Sequence, residues 1–187
     1  DTLISCNDLA AAYGEVGRVG EAISLQEQVL ATRRRVLGDD HPNTLTSGSN
    51  LAVAYRLGGR VGEAISLQEQ VLATRRRVLG DDHPDTLTSG NNLAIAYDQA
   101  GRTSEAITLH EQVLTDSRRV LGDHHPDTMA SKSTLAVAYE EMGRTREAIR
   151  LYEQMLTDFR RVLGDDHPDT LAFKNSLTAL REDGAGQ

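Results

Sequence analysis

Tryptophan is absent from these 187 residues, aromatic residues make up only 4%, and cysteine occurs once. The alternation of β-branched and aromatic residues that builds a sandwich or barrel is missing, which excludes an all-β architecture. A single cysteine, Cys6, allows no intramolecular disulfide. No run of about 18 apolar residues provides a membrane span, and no signal peptide is visible, so a cytoplasmic setting is expected. The sequence also lacks a glycine-rich phosphate loop, a His-Glu-x-x-His pair and a Gly-x-Ser-x-Gly elbow. It therefore offers no catalytic residue and no cofactor site, and the expectation is a protein that is not an enzyme.

What is present suits helices. Hydrophobic residues make up 39% and are mostly Leu, Ala, Val and Ile. The formal net charge is −8, the reverse of the basic face that a phosphate-backbone binder needs, so neither nucleic acid nor membrane is an expected partner. The dense basic clusters are Arg33–Arg35, Arg75–Arg77, Arg118–Arg119 and Arg160–Arg161. Each falls near the end of an expected helix, where cations complement the macrodipole.

The chain is periodic. Gly17–Pro42 and Gly59–Pro84 are the same 26 residues, and Pro42, Pro84, Pro126 and Pro168 follow at intervals of 42, each after a histidine. Leu9-Ala, Leu51-Ala, Leu93-Ala and Leu135-Ala keep this beat, with Tyr13, Tyr55, Tyr97 and Tyr139 four positions later. Gly-Arg at 17, 59, 101 and 143 follows, and then Glu-Ala at 21, 63, 105 and 147. A fixed period of this size marks a repeat architecture. The expected units are 1–42, 43–84, 85–126 and 127–168, with a partial fifth over 169–187 that is polar and divergent as a cap should be. Repeat one shows no capping change and the chain starts at Asp1 in phase with the repeat, so more sequence is expected before it.

Each unit reads as two helices. In the second repeat the first runs over about 43–57, with Leu45, Gly48, Ala52 and Tyr55 on one face. His-Pro starts it, because the residue before proline avoids the α region while proline suits the first helical position. His41, His83, His125 and His167 are the expected N-caps. Gly58-Gly59 ends this helix. The second runs over about 61–79, with Ala64, Leu67, Val71, Leu72, Val78 and Leu79 expected on its apolar side. Neither helix buries its face alone, so stacked hairpins must share one core. Arg60 and Glu63, at i and i+3, form an expected surface pair. Nine helices follow from this count, two per unit and one more.

Leu-Ala-x-x-Tyr followed by Gly-Arg-x-x-Glu-Ala resembles the tetratricopeptide repeat. The longer second helix and the joint Leu-Gly-Asp-Asp-His-Pro-Asp-Thr-Leu resemble the 42-residue repeats of kinesin light chains. They also resemble bacterial tetratricopeptide-like arrays, which often adjoin signalling ATPase domains. The resemblance implies an all-α fold, a right-handed α-solenoid of antiparallel helical hairpins. It departs from the family pattern where a large aromatic is common in the second helix: Gln26, Gln68 and His110 stand there, and only Tyr152 matches. In the last unit Arg181 replaces the tyrosine.

The resemblance further implies a concave groove, lined by the first helices, that holds a protein or peptide. By motif position its residues are Asn7, Asp8, Ala11 and Glu15, then Ser49, Asn50, Val53 and Arg56, then Asn91, Asn92, Ile95 and Asp98. Ser133, Thr134, Val137 and Glu140 follow, and then Asn175. Asn50 and Asn92 match the position where family members grip a ligand's main chain, and an amide offers it both donors and acceptors. The charged groove positions are mainly acidic, Glu141 included, against Arg56 alone. The basic pair with which family members clamp a terminal carboxylate has no counterpart at these positions. An internal, basic-flanked segment resting on Val53, Ile95 and Val137 is therefore the expected ligand.

The repeated Asp-Asp-His joints hold residue types that bind zinc. Each joint supplies one His, except His124-His125, and successive joints lie at least one helix spacing of about 8–10 Å apart. They cannot converge on one ion, so capping is expected and no metal. Cys6 aligns with Gly48, Gly90 and Lys132 and stands outside the repeat pattern. The expected function is a protein- or peptide-binding scaffold. The alternative is a self-association or regulatory segment of a larger signalling ATPase, with homo-association through an N-terminal hairpin that leaves Leu3, Ile4 and Leu9 uncovered.

Overall fold

The computed structural model describes Leu9, Tyr13 and residues 17–185. Among them are eight helices and no strand: α1 (Val19–Leu37), α2 (Pro42–Leu57), α3 (Val61–Leu79), α4 (Pro84–Gln99), α5 (Thr103–Leu121), α6 (Pro126–Glu141), α7 (Thr145–Leu163) and α8 (Pro168–Ala185). The ninth expected helix, in repeat one, lies outside the described residues. The chain divides into two compact units, Asp1–Arg102 and Thr103–Gln187. In the first, α1 to α4 pack each on the next, and α2 also meets α4; in the second, α5 to α8 pack in the same serial way.

The repeated punctuation sets the helix bounds. The Nδ1 atoms of His41, His83, His125 and His167 accept hydrogen bonds from the backbone N–H two residues on, at 3.1, 3.1, 3.2 and 3.3 Å. Each imidazole thus satisfies an amide that the first turn leaves without a partner, with proline pre-set just ahead of it. The other helices, α1, α3, α5 and α7, run into Gly38, Gly80, Gly122 and Gly164, which take φ near +90°. No atom crowds a Cβ at these positions, so the backbone angle, not space, requires glycine.

The core of each unit is aliphatic. Ile23, Leu30, Leu45, Leu51, Ala52, Leu67 and Val71 form one cluster. Ile107, Leu114, Leu135, Ala136, Ala138, Tyr139, Ala148 and Leu151 form the other. Gly48 is small for a steric reason, because a Cβ there would stand 2.8 Å from Val71 Cγ2. Two expectations need correction. Val78 is not on a buried face but 42% exposed, and Val36, Val120 and Val162 at the same position are exposed as well. Helical periodicity carries the apolar stripe into the closing turn, but no neighbour covers it there.

The second correction concerns the arginine clusters. Arg34, Arg35, Arg76 and Arg77 occupy last turns as expected. Arg33 and Arg75, however, are buried, at 6% and 4% exposure. Arg33 Nη1 donates to the Asn43 carbonyl at 2.9 Å and to Ser47 Oγ at 2.7 Å. Arg75 repeats this with Asp85 at 2.9 Å and Ser89 at 2.6 Å. These cations are cross-links from one hairpin to the next, held through Nη1 by backbone and hydroxyl oxygens, while the buried Arg75 Nε has no hydrogen-bond partner.

A second cross-link recurs on the Gly-Arg side. Tyr55 Oη donates to Glu27 Oε1 at 2.8 Å, and the Arg60 guanidinium lies 4.1 Å from the centre of the Tyr55 ring. Arg60 also pairs with Glu63, as expected, and with Glu27 at 3.4 Å. Tyr97 donates to Glu69 at 2.8 Å beneath Arg102. Tyr139 donates to Glu111 at 2.7 Å beneath Arg144, whose Nη1 is 3.7 Å from Glu111. Burial first, and then the Glu111 carboxylate, push the Tyr139 hydroxyl up to about 12, so it remains a donor. On α8, Arg181 replaces the tyrosine and pairs with Glu153 directly.

Candidate functional site

In the first unit, α2 and α4 carry the expected groove residues. Asn50 is exposed, while Val53, Arg56, Asn91, Asn92, Ile95 and Asp98 are half-buried. Ser49 is 6% exposed. Asn92 Nδ2 donates to Ser49 Oγ at 3.3 Å, which ties α4 to α2. Asn50 and Asn92 thus differ: the first presents its amide outward, and the second spends a donor within the fold. Behind them Gln68, 1% exposed, donates to the Ser89 carbonyl at 3.0 Å. Polar side chains and their hydrogen bonds therefore close the space between α2 and α4.

In the second unit the corresponding space is open. Ser133 and Thr134 are half-buried, Glu140, Glu141 and Asn175 are exposed, and Val137 is 46% exposed. Thr134 turns its hydroxyl back onto its own helix, donating to the Ala130 carbonyl at 3.2 Å. A cavity of about 380 Å³ is lined by Ser133 and Glu140 of α6, Tyr152 of α7, and Phe173, Ser176, Leu177 and Leu180 of α8. The Tyr152 and Phe173 rings meet edge to face, with centres 5.7 Å apart. Tyr152 Oη donates to Glu140. Burial, followed by Glu140, holds the Tyr152 hydroxyl well above its ordinary range.

Residue for residue, Gln68, Ser89 and Ala96 of the closed space correspond to Tyr152, Phe173 and Leu180 of the open one. Arg56 corresponds to Glu140. Ser133 and Glu140, both expected groove residues, come together at this cavity. Its aromatic wall was not among the expected site residues, although Tyr152 stands out as the one second-helix residue that keeps the family aromatic. Asn7, Asp8, Ala11 and Glu15 lie outside the described residues, as do Cys6 and all but Leu9 of the apolar residues expected to drive N-terminal association.

A different polar cluster occupies the start of the second unit. Lys132 stands where Gly48 stands earlier, is 2% exposed, and places Nζ 2.9 Å from the Asp123 carbonyl and 3.2 Å from Asp158 Oδ2. His124 Nδ1 is 2.6 Å from Asp158 Oδ1. Met155, unbranched and adaptable, stands where Val71 stands against Gly48. Ser117 replaces the buried Arg33 and Arg75. The cation of this joint comes from the first helix instead of the second. Among the described residues, no three His, Cys, Asp or Glu side chains come together as a metal site, and no helix is long and apolar enough to cross a membrane.

The tetratricopeptide repeat family model matches residues 1–76, 49–118 and 105–160. No curated protein matches the sequence. Among solved structures, the chain is similar to the nearly identical TPR-like repeats of a candidate kinesin light chain from Podosopora anserina. Identity is 37% and the TM-score 0.87, with 100% of this chain and 88% of that one covered; a variant of the same protein gives the same values. BtubC (BKLC) from P. vanneervenii shares the fold at 21% identity and a TM-score of 0.77, over 95% of this chain and 72% of that one. The serial helix packing, the 42-residue beat and these matches agree: the chain belongs to the tetratricopeptide repeat family, helical scaffolds that mediate protein–protein interaction.

Proposed function

We propose that this chain is a cytoplasmic scaffold that holds an extended internal segment of a partner protein against the first helices of its repeats. The observation that carries this reading is the outward face of α2 and α4, where the Asn50 amide is exposed beside half-buried Val53 and Ile95. A helix gains little from asparagine, which favours caps and turns. An exposed amide beside apolar side chains offers a peptide main chain both a donor and an acceptor, with a dry surface for its side chains. Asn92 supplies its carbonyl oxygen and its remaining N–H while its other donor holds Ser49. By motif position, Asn7, Asp8, Asn91, Asp98, Ser133, Thr134, Val137, Glu140 and Asn175 extend this face in the remaining repeats.

The acidic balance favours segments with basic flanks, whose association salt should slow through screening. A peptide array probed with the labelled chain tests this. Binders should be internal and basic-flanked, and Asn50→Ala with Asn92→Ala should weaken them about tenfold, as loss of one or two hydrogen bonds would. Binders that are acidic, that need a free C-terminus, or that ignore the double substitution would overturn the proposal.

A further inference from the structure

The Tyr–Glu–Arg cross-link occurs in complete form at Tyr55, Tyr97 and Tyr139. In each, the hydroxyl donates to a glutamate of the preceding helix pair and a guanidinium covers the ring. Tyr152 and Glu140 reproduce two of the three parts. The hydroxyl donates to the carboxylate, but among the described residues no arginine or lysine stands over the Tyr152 ring. None comes within 4 Å of Glu140 either. The pair borders the cavity of about 380 Å³, whose other walls are Phe173, Leu177 and Leu180 with two serine hydroxyls. That volume is in the range of ligand pockets, about 300–1,000 Å³.

We propose that this cavity is a subsite for an arginine side chain of a bound protein segment, which completes the third part of the cross-link. The proposal rests on the scaffold reading and names the chemistry of one position in its groove. The aliphatic stem of the arginine lies along Leu177 and Leu180, and its planar guanidinium meets the Tyr152 ring and the free oxygen of Glu140. An aromatic face beside a carboxylate suits this cation on two counts: ring quadrupole and charge-assisted hydrogen bond. Because the Tyr152 hydroxyl stays protonated, it keeps donating to Glu140 and holds the carboxylate in place. The closed space between α2 and α4 shows the contrast. There the position of Glu140 is Arg56, the position of Tyr152 is Gln68, and both the aromatic wall and the acid are gone.

The test uses Nα-acetylarginine methylamide as the probe and the isotope-labelled full chain in two-dimensional NMR. Shifts should concentrate at Tyr152, Phe173 and Leu177. Glu140→Gln should weaken binding about fivefold or more, and Tyr152→Gln, which installs the residue that repeats one and two carry, should abolish it. The citrulline analogue, equal in shape but uncharged, should bind at least about fivefold more weakly. Equal binding of citrulline, unchanged affinity in Glu140→Gln, or no response at these residues up to about 50 mM probe would overturn the subsite. Those results would leave the Asn50 and Asn92 experiment untouched, so failure here and failure of the scaffold reading are separable.

Discussion

At the scale of single residues, several repeat positions carry polar groups into the core, and two of them differ in cost. Arg33 and Arg75 find carbonyl and hydroxyl acceptors. His110, 1% exposed, stands where Gln26 and Gln68 stand, and burial lowers its imidazole pKa from 6.5 to about 4. A folded value below the unfolded one means that the unfolded chain binds the proton first as pH falls. The contribution of His110 is therefore full above about pH 6.5 and erodes towards pH 4, by about 2 kcal/mol between pH 7 and pH 5. Urea unfolding at both values should show this loss in the native chain, and His110→Gln should reduce it by a similar amount. An identical pH dependence in the variant would mean that His110 does not titrate as its burial requires. In the sequence His110 is visible as a departure from an aromatic position, but its burial is not legible there. Arg75 is legible in principle, since it follows Val71 by four residues and so shares its face. Three arginines in a row conceal which one turns inward.

At the scale of the element, the first-helix and second-helix bounds are legible in the sequence to within a residue. His-Pro and Gly-Arg act locally, through proline's fixed φ and glycine's freedom, and need no tertiary partner to be read. The joints between hairpins are harder, because they depend on residues about 15 to 40 positions apart that change together. Ser117, Lys132, Met155 and Asp158 form one solution, and Arg33, Gly48, Val71 and Thr74 form another. The Lys132–Asp158 pair, 2% and 10% exposed at the side chain, makes the first solution intolerant of partial change. Asp158→Ala should cost up to about 3–5 kcal/mol, because the buried ammonium keeps only the exposed Asp123 carboxylate, 3.6 Å away, as a counter-ion. Installing all four residues of the second solution at once should recover most of that loss. Chemical denaturation of the single and quadruple variants measures both. A quadruple variant no more stable than the single one would show that the two sets are not interchangeable. The open cavity is illegible for a related reason: its walls come from three helices, and the shape depends on what Tyr152, Phe173 and Leu180 fail to fill.

For the whole molecule, the consequence lies in which joints are alike. Helices α1 and α3 have the same sequence, and Arg33 and Arg75 bond to the next helix with the same partners at nearly the same distances. Deleting 43–84 sets Pro42 before Asp85, so α1 meets α4 with every contact of the α3–α4 joint available. That shortened chain should keep its helicity and unfold cooperatively. Deleting 85–126 instead brings Arg75 against Lys132, two buried cations at one joint, and should cost about 3–5 kcal/mol. Circular dichroism and urea unfolding of the two deletions decide it, and equal stability would remove the distinction. Two interchangeable joints also have a meaning for inheritance. Unequal recombination within the stretch encoding the 26 shared residues adds or removes a whole 42-residue unit and leaves no misfit behind. If the 43–84 deletion folds as expected, the number of units is free to drift between generations, until a joint of the Lys132 kind sets the point at which exchange is no longer neutral.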